Sequence, residues 1–316
     1  MTIKTVAVTG STGFVGRHVV RELLAQGYSV RALARSEDAA RKTLPRDARV
    51  AVVLGDALSP ATLDDLCRGC HAAIHLVGII REERGGLTFQ QAHVGAPRAL
   101  LAACERAGVT RFLAMSALGV SPTGRAEYQT TKFEGEQLVR ASPADWTIFR
   151  PGMILGEGSK FLAMAVDWAK GEAAPWLFMP YFTRGVEDTS VPLGPLHTVI
   201  PQVQPIDVKD VAKAFASSIP NATTFGETYN LVGPDRVSWP DMLTWIRDTH
   251  THGSAMGTWG IPSELAALKA KGFALAGMKH VLPFDAGMAI MGGQDSVGEL
   301  TKVREHLGLI PRKVMG

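Results

Sequence analysis

A doubly wound α/β architecture, with a parallel sheet between helical layers and a smaller C-terminal lobe, follows from three features of the chain. Short continuous apolar runs alternate with segments of helical period through the first half. The first run ends in a glycine-spaced turn, Gly10-Ser11-Thr12-Gly13-Phe14-Val15-Gly16. The alternation then breaks near Pro151-Gly152. Apolar runs without a polar face suit strands covered on both sides, the condition of a parallel sheet. Right-handed crossovers leave few other ways to connect them.

The elements follow in order. Residues 5–9 read as a strand, 13–26 as a helix, 28–34 and 50–54 as the second and third strands, and 72–77 as the fourth. A long helix is expected over about 88–107, a fifth strand over 111–115, a helix over about 127–141 and a sixth strand over 146–150. Beyond it, helices are expected at 161–170, 207–219 and 238–250, the last with Ser238 as N-cap, and a strand at 228–232. The stretch 180–204, rich in Pro, Gly and acids, reads as a long lid or binding loop. The domain division is therefore 1–156 for the dinucleotide-binding Rossmann part, with returning elements at about 205–235, and 157–316 for the smaller lobe, lid loop and C-terminal helices.

Composition narrows the function classes. The 316 residues are 46% hydrophobic and 20% charged, with a net charge of +3, an ordinary globular balance that calls for no nucleic acid. The N-terminus turns directly into a strand, so no cleavable leader is expected, and no apolar run reaches the length of a membrane span. Three cysteines in such a chain argue against a disulfide scaffold and for a reducing, cytoplasmic setting. Cys67-Arg68-Gly69-Cys70-His71 matches the string for covalent haem attachment, but it falls at a helix end, a turn and a strand start, so no haem and no metal site is expected.

The glycine turn is the strongest chemical signal. Gly10 permits the tight turn, Gly13 lets backbone approach a pyrophosphate, and Gly16 lets the helix pack closely. The free N–H groups of Ser11, Thr12, Phe14 and Val15 then face the anion at the start of a helix. An acidic residue at the end of the second strand would bind the ribose hydroxyls of NAD; the chain has Arg35 there, which suits a 2′-phosphate, with Arg31 on the same side of the strand. NADP(H) is thus preferred over NAD(H). Asp56, with Ala57, is placed for the adenine amino group, and Leu76, Val77 and Gly78 for the wall beside the ribose and pyrophosphate.

Tyr128 and Lys132 stand four residues apart and share a helix face. The ammonium is expected to favour the phenolate and bring the tyrosine toward working pH, and to reach the nicotinamide ribose as well.

These strings, with Gly55-Asp56, Arg150-Pro151-Gly152-Met153-Ile154-Leu155-Gly156, Asp207-Val208-Lys209-Asp210-Val211-Ala212 and Gly226-Glu227-Thr228-Tyr229-Asn230-Leu231, resemble the extended and atypical short-chain dehydrogenase/reductases, the NAD-dependent epimerase/dehydratase-like group. The resemblance covers about residues 3–240. His75-Leu76-Val77-Gly78-Ile79-Ile80, His93-Val94 and Thr131-Lys132-Phe133-Glu134-Gly135-Glu136 are most similar to the NADPH-binding accessory subunits of respiratory complex I and their bacterial relatives. The resemblance implies Tyr128 as acid/base, Lys132 as its partner, and Pro151, Gly152 and Met153 at the nicotinamide end. It also exposes a departure: Ala117 stands where many members carry a catalytic hydroxyl, and Ser116, one position away, is the candidate replacement or else faces the sheet. His93 stands where many members have an asparagine, and a packed histidine is the expectation there.

Trp168, Trp176, Phe178, Met179, Tyr181 and Phe182 suit an apolar pocket or interface, with core packing as the default. The apolar tail over 261–291, with Lys269, Lys271 and Lys279, suits either a buried helix pair or docking on a partner or membrane surface. Two functions stay open: an NADP(H)-dependent oxidoreductase or epimerase-like enzyme acting on an unnamed small molecule, and a cofactor-holding subunit or assembly factor of a respiratory assembly, peripheral at the inner face of a membrane.

Overall fold

The computed structural model describes residues 4–188, 190, 195–278 and 282–315. Its first part runs β1 (Thr5–Thr9), α1 (Phe14–Ala25), β2 (Ser29–Ala34), α2 (Glu37–Thr43), β3 (Val50–Leu54), α3 (Pro60–Cys67) and β4 (Ala72–His75). A π-helical turn, Gln91–Gly95, then leads into α4 (Ala96–Ala107), β5 (Arg111–Met115), α5 (Glu127–Ala141) and β6 (Asp145–Pro151). The second part runs β7 (Ile154–Leu155), α6 (Lys160–Lys170), β8 (Met179–Glu187), β9 (Leu196–Val199), β10 (Gln202–Val203), β11 (Ile206–Asp207) and α7 (Val208–Ser218). It ends with β12 (Glu227–Leu231), β13 (Val237–Ser238), α8 (Trp239–His250), β14 (Thr258–Pro262), α9 (Ser263–Leu275), α10 (Ala286–Gly292) and α11 (Thr301–Leu307).

Seven strands form one parallel sheet in the order β12-β6-β5-β4-β1-β2-β3. Alternate side chains of each strand enter different cores. Val6, Val8, Ile74 and Leu113 meet Val19, Leu23, Val211 and Phe215 of α1 and α7. Ala7, Ala73 and Phe112 meet Leu63, Leu66 and Leu100 of α3 and α4. Burial on both faces is why these strands carry continuous apolar runs. Because all strands are parallel, their carboxyl ends (Thr9, Ala34, Leu54, His75, Met115, Pro151 and Leu231) share one edge, where such sheets bind ligands.

Arg111, at the opposite edge, is 2% exposed and fully committed. Its guanidinium donates to the carbonyls of Asp145, Ser218 and Ile219 and to the hydroxyls of Thr147 and Thr224. It also lies over the Phe225 ring. Cys67, Cys70 and Cys104 are buried free thiols.

The stretch expected as a long lid loop is corrected by the structure. Among its described residues, β8 pairs with β9 antiparallel and with β14 in parallel. Tyr181 packs toward α6 and α8, while Phe182 packs toward α9 and α10, so this strand separates two small cores. The Pro and Gly residues masked its period-2 pattern. Trp168 and Met179 are core residues, whereas Trp176 is 62% exposed. Short α2 and the strand β14 went unread in the sequence. α8 and its Ser238 cap stand as expected, the hydroxyl accepting from the Asp241 N–H at 3.3 Å. Lys279 lies outside the described residues. Among the described residues, no helix is long and apolar enough to cross a membrane.

Candidate functional site

The glycine turn makes a cradle that side chains cannot enter. Gly10 has φ +71°, and a Cβ there would lie 2.8 Å from the Leu76 carbonyl carbon. A Cβ at Gly16 would lie 2.0 Å from the Gly10 oxygen, so α1 can sit this close to the loop only with glycine. Gly13 is the exposed N-cap of α1 and supplies no side-chain cap, leaving the first-turn N–H groups of Phe14, Val15 and Gly16 available to an anion. Thr12 is half-buried beside it. Ser11 is different: its hydroxyl donates to the Leu33 carbonyl at 2.7 Å, tying the loop to β2, so only its backbone remains for a ligand.

Farther along the edge, Arg35 is exposed beyond the end of β2, and Asp56 is exposed beyond β3. One Asp56 oxygen accepts from the Leu58 N–H, closing the turn that contains Ala57 and shaping the start of α3. Arg31 is not available beside Arg35. Its guanidinium is spent on the Asp65 carboxylate and on the Asp65 and Leu66 carbonyls at the end of α3.

Tyr128 and Lys132 lie one turn apart on α5, and Lys132 reaches the end of β5. The Lys132 ammonium is buried, donates to the Met115 carbonyl at 3.1 Å, and lies 3.0 Å from where a Cβ on Gly78 would stand. A side chain at position 78 would press on the ammonium. Tyr128 is half-buried, its ring edge-on to Phe89 and His93 with centroids 6.1 and 5.2 Å away. The π-helical turn positions His93: its ring contacts the Thr131 hydroxyl at 2.9 Å and the Ile79 carbonyl at 3.0 Å. Gly135 admits this turn, since a Cβ there would lie 2.1 Å from the His93 oxygen. His93 is thus a packed residue, as expected, yet it walls the tyrosine.

The electrostatics correct one expectation. Burial pushes Tyr128 up to about 12 rather than toward neutrality, and Lys132 down to about 8, with Glu136 opposing the latter. His75 and His93 are held neutral, both pushed down to about 3 by burial first and the Lys132 charge second. The chain therefore presents a protonated phenol and a lysine close to releasing its proton.

Ser116, the candidate hydroxyl near the end of β5, is 6% exposed. Its buried hydroxyl lies against the Glu136 carboxylate without closing a hydrogen bond of ordinary geometry. Glu136 is 3% exposed and is clasped by Arg150, at 2.7 and 2.6 Å, and by Arg140 at 2.8 Å. Burial alone would raise this carboxyl, but the Arg150 and Ser116 groups and both arginine charges hold it low. Position 117 offers only a methyl group. This clasp was not read from the sequence, because Glu136 and Arg150 sit on different elements. Pro151 is buried in β6; Gly152 donates to the Leu231 carbonyl, and Met153 packs on the small-lobe core. The three join the sheet edge to that lobe. Among the described residues, no group of three or more His, Cys, Asp or Glu is placed to hold a metal ion.

Residues 10–167 match the sequence model of a family described as NAD(P)H-binding. The chain belongs to this NAD(P)H-binding family. Ceramide reductase of Caulobacter vibrioides is 37% identical over 153 residues, 48% of this chain and 47% of that one. Subunit 9 of the NADH dehydrogenase (ubiquinone) 1 alpha subcomplex, mitochondrial, of Rattus norvegicus is 29% identical over 233 residues, 72% of this chain and 56% of that one. The chain thus spans about half the length of the curated relatives it matches. The Escherichia coli NADPH-dependent quinone oxidoreductase complexed with NADPH has the same fold, with a TM-score of 0.68 at 18% identity over 98% of this chain and 96% of that one.

Proposed function

We propose that this member of the NAD(P)H-binding family is an NADP(H)-dependent oxidoreductase that interconverts a carbonyl and an alcohol on an apolar molecule, with Tyr128 as the acid/base. The observation that carries this reading is the placement of Lys132 under Gly78, past the carboxyl end of β4, with Tyr128 one turn away on α5 and the uncapped start of α1 at the same sheet edge. The turn from Gly10 to Gly16 would hold the pyrophosphate, Arg35 the 2′-phosphate, and Asp56 and Ala57 the adenine. Leu76, Val77 and Gly78 would line the ribose, with Pro151, Gly152 and Met153 at the nicotinamide. The bare backbone at positions 10, 16 and 78 fits that ligand. A bound nicotinamide supplies or accepts the hydride at carbon.

The chain's own residues manage the proton. Tyr128, protonated at neutral pH, donates to the carbonyl oxygen as the carbon gains hydride, so C=O becomes CH–OH. Lys132, one turn away on the same helix, would lower the energy of the phenolate that forms, and solvent returns the proton. In the other direction the same phenol must lose its proton first. The apolar substrate class rests on the Phe89 wall, the exposed Ile80 and the name of one relative, a ceramide reductase.

The test is NADPH consumption by the purified chain over a panel of apolar ketones and quinones. Tyr128→Phe should keep dinucleotide binding and lower kcat about a hundredfold or more; undiminished turnover in that variant removes the mechanism. A second reading is favoured by Ala117 and by the turn of Ser116 toward Glu136, which leave Tyr128 without a hydroxyl to steady the substrate oxygen. It is a cofactor-holding subunit of a respiratory assembly, in line with the relative from NADH dehydrogenase. Tight NADPH binding with no turnover on any substrate, and copurification with respiratory subunits, would select it.

A further inference from the structure

α9 carries apolar side chains around its whole circumference but is packed on one side only. Ser263, Ala266, Ala267 and Ala270 are buried, Ala266 and Ala267 in the small core with Ala289 of α10, Phe182 and Ile261. At about 100° per residue the other side presents Leu265, Leu268, Gly272 and Leu275 as a stripe. Leu268 is 68% exposed and Leu275 91%. Lys269 borders one flank of the stripe and Lys271 the other, and neither forms an ion pair among the described residues. Glu264, the acid of this helix, is paired with Arg125 at 3.5 Å. Trp259, on the strand that leads into α9, is 65% exposed.

We propose that this face of α9 docks on the surface of an anionic lipid bilayer. A helix of an ordinary water-facing surface puts charge outward; this one puts leucines outward with a lysine on each side. That arrangement lets the leucines enter the acyl boundary while the ammonium groups reach up to phosphates. The charge pattern also chooses among occupants. A second copy meeting this face about a two-fold axis would bring lysines against lysines with no free acid on the helix to offset them. An anionic headgroup layer complements both flanks at once. The Glu264–Arg125 pair ties α9 to the segment just before α5, and Gln129 of α5 donates to Gln294 just past α10, so docking is compatible with delivery of an apolar substrate without depending on it.

The test is flotation of the full chain with vesicles of phosphatidylcholine alone or mixed with phosphatidylglycerol, together with its mass in solution. The chain should float with the anionic vesicles and be released by salt. Lys269→Glu/Lys271→Glu should lower the partition coefficient about tenfold or more, and Leu268→Ser/Leu275→Ser should do so comparably. Both should keep the wild-type Tm and dinucleotide affinity, since the positions are exposed. Failure of the wild type to float, or equal flotation by both variants, overturns the proposal. So does a wild-type dimer that Leu268→Ser/Leu275→Ser converts to monomer, because the occupant is then a second copy. None of these readouts depends on turnover, so loss of the enzymatic reading leaves them unaffected.

Discussion

Single residues set the chemistry through their surroundings more than through their type. Lys132 is the same ammonium as any surface lysine, but burial brings it down to about 8, while burial first and the Lys132 charge second hold His75 and His93 near 3. This has a thermodynamic consequence. The unfolded chain protonates both histidines near pH 6.5, while the folded chain resists until about 3. Between these values the unfolded state binds more protons, so stability falls as pH falls, by up to about 1.4 kcal/mol per pH unit for each histidine. Lys132 acts with the same sign in a higher window, its penalty easing as pH rises from about 8 to 10.5. Urea unfolding at stepped pH should show the acid loss, and a His75→Gln/His93→Gln variant should flatten it; an unchanged slope would refute the neutral assignment. At the other end of the crevice, Arg35→Asp should shift the ratio of NADPH to NADH affinity toward NADH by at least about tenfold, read by fluorescence titration of both cofactors. An unmoved ratio would remove Arg35 from the 2′-phosphate.

At the scale of elements, glycines decide how closely helices approach. α1 begins against its loop because Gly16 has no side chain, and α5 meets the π-helical turn because Gly135 has none. Gly16→Ala is therefore expected to lower stability by about 1–3 kcal/mol and to abolish measurable dinucleotide binding by calorimetry; wild-type binding in that variant would mean the cradle is not where the pyrophosphate rests. The strands at Thr5–Thr9, Val50–Leu54 and Arg111–Met115 and the helix at Glu127–Ala141 were readable to the residue because each is an uninterrupted period between clear breakers. The region around β8 and β9 was not, because its prolines and glycines resemble a loop and its strand character comes from pairing with β14, far away in sequence.

The whole molecule is closed by contacts between early and late parts of the chain. β12 joins β6 at the edge of the main sheet, and α7 covers α1. Arg111 clamps this return from below, binding carbonyls of β6 and of the end of α7 at once. Arg111→Ala leaves those buried acceptors without donors, so a loss of about 3 kcal/mol or more is expected, measured by denaturant midpoint, with the site residues at the far edge unaltered in identity. A loss under about 1 kcal/mol would show that the return holds without it.

Local order is legible in the sequence itself: the strand-turn-helix opening, the Tyr128 and Lys132 spacing, and Arg35 in place of an acid are each written within a few residues, because backbone sterics and helix periodicity act over that range. What the tertiary structure decided lies between elements. The commitment of Arg31 to Asp65, the turn of Ser116 to Glu136, the rise of Tyr128 to about 12, and the bare leucine face of α9 all depend on which groups come together or remain apart once the chain has closed. Charge, burial and hydrogen bonding are properties of neighbourhoods, and the neighbourhood of a buried side chain is drawn from parts of the sequence that carry no mark of one another.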